Sequence, residues 1–400
     1  MPAPDLNIDT HSVTDHFDYI IAGAGCAGLS LLYSMMMHPF FKDKQILLID
    51  QSAKNNNDRT WCFWEEKPGV FEEIVHHRWK QIDFYSNYFS GRFDIIPYEY
   101  KMIRSIDFYA HILTKAKQKD NIHFLYGHIQ SVFSKINKAV VYVDDKEFSA
   151  DYVFNSIFFK EANEMLSSKK EKKIYSLLQH FKGWVIETSK NVFDDRIATF
   201  MDFRISQQQG TSFVYVLPIA PNKALIEYTI FSEQLLEPEQ YNEAIKNYIT
   251  DFIKPGTFSI AEEEFGVIPM TNFPFSKGEG NIVNIGTAGG QTKPSSGFTF
   301  RFIQKHTAKI LNALVTGKDP HIQETFRHRR FNLYDSVLLH ILQKKKMGGD
   351  KIFADLFKRN PPQRILRFLD NETNASEELK IMKSVSSGIF LPVVIKELMH

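Results

Sequence analysis

The stretch DYIIAGAGCAGLS, residues 18–30, limits the fold more than any other part of the chain. It sets Gly23, Gly25 and Gly28 in G-x-G-x-x-G spacing directly after an apolar run. Gly23 permits the tight turn out of a strand, Gly25 lets a pyrophosphate approach the backbone, and Gly28 lets the next helix pack close to the sheet. The free N–H groups and positive dipole end of that helix favour an anion. A strand at about 17–22, a helix at about 26–37 and the strand QILLID at 45–50 complete a βαβ unit. Asp50 ends the second strand at the place of a ribose-binding acid. Its charge disfavours a 2′-phosphate, which leaves FAD or NAD. A second glycine-rich turn, NIGTAGGQTKPSSGFTF at 284–300, decides for FAD. Gly286, Gly289, Gly290 and Gly297 give close backbone approach there, and Pro294 with Ser295 and Ser296 fits the start of a helix. Thr287 stands where an acid is customary.

With nucleotide signals at both ends of the chain, the expected class is α/β. It comprises a Rossmann-like FAD-binding domain of the two-lobe hydroxylase/reductase type, an interleaved mixed β-sheet substrate lobe and a helical C-terminus. The FAD-binding domain is expected to be discontinuous, over 17–60, 101–160 and 281–320. Residues 61–100 and 161–280 fall to the substrate lobe, and 321–400 to a helical region able to dock on a membrane. The pattern at 81–100 reads as a β-hairpin turning near Ser90-Gly91, and helices are expected at about 105–119 and 239–253. Residues 1–16 read as a loose tail, and the Lys/Glu run at 160–173 as a solvated loop and helix. The N-terminus does not read as a secretory signal.

A formal net charge of +1 over 400 residues offers no global field for nucleic acid. Two cysteines, Cys26 and Cys62, make no disulfide framework, and the histidines show no metal-ligand spacing. No apolar stretch is long enough to span a bilayer. The unusual total is aromatic, with 35 Phe. These rings either fill a large core or line a cavity for a large apolar ligand.

At NDRTWCFWE, 57–65, the chain resembles the lycopene cyclase family of flavoproteins. The likeness continues through MD at 201–202, TSFVYVLPIAPNKALIEYT at 211–229, GVIPM at 266–270 and the late glycine turn. It runs on through LFKRNPPQRILRFLDNET to LKIMKS. The resemblance implies an enzyme that forms ionone-type rings at the ends of linear carotenes without net redox change. On that reading lycopene becomes γ-carotene and then β-carotene, beside reduced FAD maintained by NAD(P)H. Two positions depart from the family pattern. Tyr228 stands where a second acid commonly follows the key Glu, and 150–159 lacks an Asp-x-Arg-Gly-like ending.

Such a cyclisation needs a proton delivered to an alkene, a feeble base, so the acid must be dry and well placed. A carboxyl group in an apolar pocket stays protonated near neutrality. Glu227, in ALIEYTIF, is the candidate; the local sequence alone favours a residue that faces solvent or pairs with a nearby cation, and the family resemblance favours the functional role. Strand alternation puts Leu225, Glu227 and Thr229 on one face and Ile226, Tyr228 and Ile230 on the other. Asp202 is the second candidate, with a structural ion pair as an equal reading. Arg59 is expected near the flavin or its pyrophosphate, with a salt bridge to Asp58 or Asp50 as the alternative. Trp61, Trp64, Phe213, Tyr215 and Tyr228 are candidate liners that could stabilise a cation through their faces.

Lycopene lives in the bilayer, so a peripheral contact with the inner face of the cell membrane and a cytoplasmic location are expected. The Lys run 344–346, the basic helix at 358–367 and SSGIFLPVVIKELM are the docking candidates. An FAD-dependent monooxygenase or prenyl reductase is the competing enzyme. A non-catalytic carotenoid- or lipid-binding flavoprotein is the competing binder.

Overall fold

The computed structural model describes residues 16–158 and 174–399. The Lys/Glu-rich run expected at 160–173 lies outside the described residues, and so does the expected tail except His16. The chain opens with β1 (His16–Ala22), α1 (Cys26–Met36) and β2 (Ile46–Asp50). There follow β3 (Thr60–Glu65), β4 (His77–Trp79), β5 (Gln81–Tyr85), β6 (Ser90–Asp94), β7 (Glu99–Arg104) and α2 (Ser105–Ala116). Next come β8 (Ile122–Tyr126), β9 (Ile129–Lys135), β10 (Lys138–Val143) and β11 (Lys146–Asn155). The middle of the chain supplies β12 (Ser176–Thr188), β13 (Ile197–Asp202), β14 (Thr211–Ala220), β15 (Lys223–Ser232), α3 (Pro238–Tyr248), β16 (Phe258–Thr271) and β17 (Ile282–Asn284). The remainder is helical: α4 (Phe300–Val315), α5 (Phe326–Gln343), α6 (Gly349–Arg359), α7 (Pro362–Leu369), α8 (Ala375–Ser384) and α9 (Ser387–Leu398).

A seven-stranded sheet runs β8-β2-β1-β11-β10-β9, with β17 added beside β11. Strands β8, β2, β1, β11 and β17 are parallel, whereas β9 and β10 join antiparallel. Every residue of β2 is buried, as a parallel strand covered on both faces requires. Helix α1 packs against α2 and α4.

A second seven-stranded sheet runs β16-β12-β15-β14-β13-β5-β6. It is antiparallel except where β13 pairs with β5. On one face, Ile226, Tyr228 and Ile230 meet Tyr241, Ile245 and Tyr248 of α3. The other face carries much of the aromatic surplus. Phe84 stacks on Phe357 of α6 with centroids 4.4 Å apart, and Phe203 stacks on Phe353 at 5.6 Å. A small sheet, β3-β7-β4, stands alongside.

Three local expectations differ from the structure. The hairpin turns at 86–89, where Ser86 Oγ accepts from Tyr88 and Phe89 N–H, so Ser90-Gly91 already belong to β6. Pro294-Ser295-Ser296 do not begin a helix. Gly297, at φ +69°, closes a turn with its N–H on the Lys293 carbonyl, and α4 starts only at Phe300. The helix expected to 253 stays α-helical only to Tyr248 and continues as a π-helical turn over Ile249–Ile253.

Candidate functional site

Gly23 leaves β1 at φ +100°, a conformation that strongly favours glycine. A methyl on Gly28 would stand 1.9 Å from the Gly23 carbonyl oxygen, so its absence is what lets α1 lie on the turn. Gly25 is the N-cap of α1. Nothing lies within 4 Å of where its Cβ would be, no side chain caps the helix, and its first turn holds no acid. These open, uncapped N–H groups fit an anion.

The open side of the turn faces a cavity of about 370 Å3. Its walls come from Gly25 and Cys26 of the turn, Arg59, Trp61 and Cys62 at the start of β3, and Tyr109 of α2. The second sheet adds Gln179, Tyr215, Leu225 and Glu227, and the late turn adds Gly286, Thr287 and Gly297. The two glycine turns and Glu227, distant in the chain, therefore meet at one place. A methyl on Gly297 would strike Gln179 Oε1 at 2.2 Å. That oxygen is buried with no donor, an acceptor left for a polar group in the cavity.

The remaining sequence candidates divide. Trp61 and Tyr215 line the cavity, and so does Arg59, which also pairs with Asp58 at 3.6 Å. Asp50 holds the first turn from within. Its Oδ2 accepts from Ala24 N–H at 2.6 Å, and its Oδ1 accepts from Ser52 N–H and pairs with Lys54 at 3.1 Å. Gly289 and Gly290 face away from the cavity, with Lys277 Nζ donating to the Gly289 carbonyl.

Four expectations are corrected. Tyr228 lies on the α3 face of β15, because adjacent strand residues point to opposite faces. Its hydroxyl donates to Ser212 Oγ. Trp64 is buried against α7, its indole N–H donating to the Leu366 carbonyl at 3.1 Å. Phe213 packs between Phe203 and Phe231 in the core. Asp202 has no exposure and is the structural ion pair: it binds Arg204 at 2.6 Å and accepts from Tyr248 Oη at 2.8 Å.

The sequence reading also missed residues. Glu264, on β16, is hydrogen-bonded to Glu227, while Thr60 Oγ1 donates to its Oε2 at 2.8 Å. Thr229 Oγ1 donates to Glu227 Oε1 at 2.7 Å. Desolvation pushes both carboxyls well above the usual glutamate range, and the Glu264 charge raises Glu227 further. Burial likewise pushes the Cys62 thiol and the Tyr100 and Tyr215 hydroxyls up, so they stay neutral. The site thus offers a half-buried carboxyl pair, with Glu227 at the cavity wall, among uncharged rings and opposite an anion-receptive turn. Among the described residues no cluster of His, Cys, Asp or Glu could hold a metal ion.

The chain is similar to known proteins in sequence and in fold. The chain is 23% identical over 334 residues to a chloroplastic neoxanthin synthase of Solanum tuberosum, covering 78% of this chain and 64% of that one. It is 25% identical over 273 residues to a lycopene beta-cyclase of Pantoea ananas, covering 64% of this chain and 63% of that one. The alignments thus span less than two thirds of either relative. In fold, it superposes with TM-score 0.63 on a geranylgeranyl bacteriochlorophyll reductase-like protein of Thermoplasma acidophilum, at 14% identity and covering 96% and 98% of the two chains. The profile of the family described as "Lycopene cyclase protein" matches residues 18–391, and the chain belongs to that family.

Proposed function

We propose that this protein is an FAD-dependent lycopene beta-cyclase, an isomerase that closes β-ionone rings on the ends of a linear carotene. The observation that carries the reading is Glu227: a desolvated carboxyl held in the same cavity as both glycine turns. The uncapped N-terminus of α1 suits the pyrophosphate, and Gly286, Gly297 and Gln179 suit the ring end of FAD. This assignment fits a cofactor domain at 17–60, 101–160 and 281–320, with the substrate entering from the second sheet. Reduced FAD, kept so by NAD(P)H, would supply a negative charge near a carbocation with no net electron transfer.

The protein's own groups supply the proton chemistry. A protonated Glu227 delivers its proton to the terminal C1=C2 bond. The C5=C6 electrons then close the ring on C1, and loss of the C6 proton restores the double bond. Trp61, Tyr215 and Tyr100 present aromatic faces to the cavity, each worth about 0.5–2 kcal/mol to a desolvated cation. Tyr100 and Tyr215 are held neutral by burial, so they leave the proton to the carboxyl.

A membrane-borne substrate requires a docking surface. Among the described residues no helix is long and apolar enough to cross a membrane. Helix α9 exposes Leu391, Ile395 and Leu398 at helical spacing, and Met399, its C-cap, is exposed beside them. Its Glu397 meets His340 of α5 at 2.9 Å, which brings that apolar end beside the exposed Lys344, Lys345 and Lys346. An apolar stripe next to a basic run suits peripheral contact with an anionic leaflet.

Expression in a lycopene-accumulating bacterium beside a Glu227→Gln variant tests the reading. Conversion to β-carotene by the wild type and not by the variant is expected. Unchanged lycopene with soluble, flavin-loaded wild type would overturn it.

A further inference from the structure

We propose that Glu264 shares a single proton with Glu227 across Gly183, and that this one-proton pair is the acid presented to the cavity. The proposal rests on the cyclase reading above and deepens it.

The geometry begins with register. In β12, Gly183 pairs with Glu227 of β15 on one side and with Glu264 of β16 on the other. Residues in register on one face of a sheet point the same way, so the two carboxyls flank a position that carries no side chain. A Cβ at Gly183 would meet Leu225 Cδ1 at 2.9 Å, Glu264 Cγ at 3.0 Å and Glu264 Oε1 at 3.1 Å. Glycine is therefore what lets the two groups meet over the intervening strand.

Each carboxyl is held by one hydroxyl: Thr229 on Glu227 Oε1 and Thr60 on Glu264 Oε2. With both groups ionised, Glu264 Oε1 is buried with no donor at all, a costly state for a charged group. One proton between the carboxyls removes that deficit, and two carboxylates in contact cannot both ionise readily. The surroundings agree. The facing groups are the Cys62 thiol of β3, Tyr100 of β7 and Tyr215 of β14, all held neutral by burial. The nearest further charges are the acids Glu262 and Asp58, which push Glu264 up as well. Glu262 receives Asn57 Nδ2 and Asp58 pairs with Arg59, while Lys182 is engaged with Glu263.

Glu227 lines the cavity, whereas Glu264 is not on its wall. Glu264 is accordingly a positioning residue acting through Glu227. In the cycle the pair gives its proton to C2, leaving the cation at C1. The C5=C6 electrons form the C1–C6 bond and move the cation to C5. The C6–H bond breaks, its electrons restore C5=C6, and the proton returns to the pair. No oxidant or reductant is consumed.

The test uses two readouts on the purified full chain. The first is an infrared titration of the protonated-carboxyl C=O band without carotene. Wild type should show a carboxyl that loses its proton near neutral pH. Glu264→Gln removes the like charge and offers an amide donor, so that band should move at least one pH unit lower. Thr60→Val, which removes the donor that lowers Glu264, should move the titration upward, and it stands as the independent variant if Glu264→Gln fails to fold. The second readout is the pH profile of lycopene cyclisation with FAD under reducing conditions. Activity should fall as pH rises through the pair's titration. In Glu264→Gln that fall should occur at least one unit lower, with about tenfold less activity at the wild-type optimum. An unmoved band, or a uniform loss of activity at all pH values, would overturn the pair. A band that behaves as described in a wild type that never converts lycopene would overturn the cyclase reading and leave the pair standing.

Discussion

Two glycines of the first turn, three residues apart, should fail in opposite ways when each is replaced by alanine. At Gly28 the new methyl would lie 1.9 Å from the Gly23 carbonyl oxygen and 3.0 Å from Ile21 Cγ2. Ordinary contact begins near 3.4 Å, so α1 must withdraw from the turn by about 1.5 Å. Overpacking against backbone costs up to about 3 kcal/mol, offset by about 1 kcal/mol of helix propensity. Gly28→Ala should therefore lose about 2 kcal/mol. At Gly25 the backbone is ordinary (φ −80°) and the methyl meets nothing. The weaker N-cap and the stiffer unfolded chain each change stability by about 0.5–1 kcal/mol in opposite senses. Gly25→Ala should therefore unfold like wild type. Its methyl, however, stands where a pyrophosphate would approach, and about 1–3 kcal/mol of crowding there weakens FAD roughly 5- to 150-fold. Urea unfolding of the FAD-free proteins, followed by tryptophan emission, separates stability from ligand linkage, and FAD titration reads the site. Wild-type FAD affinity in Gly25→Ala would refute the placement of the pyrophosphate at α1. Wild-type stability in Gly28→Ala would refute the packing argument.

Asp202→Asn should cost about 1–3 kcal/mol in urea unfolding, because Arg204 and Tyr248 lose a charged acceptor. Its pigment profile should match wild type, and loss of cyclisation in a folded Asp202→Asn protein would put the residue back in the chemistry. Burial depresses His180 to about 4, with both ring nitrogens engaged by Tyr241 and Ser232 hydroxyls. The unfolded chain then binds the proton first, so stability is full above pH 6.5 and falls as pH drops from 6.5 to 4. The loss is at most about 3 kcal/mol, and His180→Gln should flatten that part of the urea-midpoint profile. Replacing Lys344, Lys345 and Lys346 by Gln should weaken sedimentation with anionic vesicles by about 1 kcal/mol per residue at low salt. It should leave binding to neutral vesicles unchanged, and equal losses on both would argue against an electrostatic contact.

The parts of the fold legible in the sequence are those where one local pattern admits one structure. An apolar strand feeding G-x-G-x-x-G fixes β1, the turn and α1, since the φ of +100° at Gly23 and the close approach of Gly28 to the Gly23 carbonyl are both local. Strands β13, β14 and β15 stand out for the same reason: they are rich in aromatic and β-branched residues. Strand β16 was missed because FSIAEEEFGVIPMT carries three consecutive acids, which are depleted in strands. Its pairing with β12 over thirteen register positions, not its own propensity, makes it a strand. The misplaced helix start at 294–296 has a similar cause. Proline suits a first helical turn, but here Gly297 takes a left-handed φ of +69° and its N–H closes a turn on the Lys293 carbonyl.

At the site, period-two alternation separates Leu225 and Glu227 from Tyr228, but it does not say which face is the cavity; the aromatic character of Tyr228 suggests a liner, and the structure turns it to the α3 face. Aromatic type could not separate Trp61 from Trp64 or Tyr215 from Phe213, because rings serve core and cavity with the same area burial. Glu264 was out of reach for a different reason. Glu262 and Glu264 point to one side of β16 and Glu263 to the other, where it meets Lys182. Nothing in the acid run itself says which side is dry. That information resides in Gly183, far from both acids in the chain, and becomes visible only when β12 lies between β15 and β16. The position after Glu227, where the family pattern commonly places a second acid, is turned toward α3 in this fold. A carboxyl there could not touch Glu227 on the cavity face, whereas one on the second strand over, across a residue without a side chain, does.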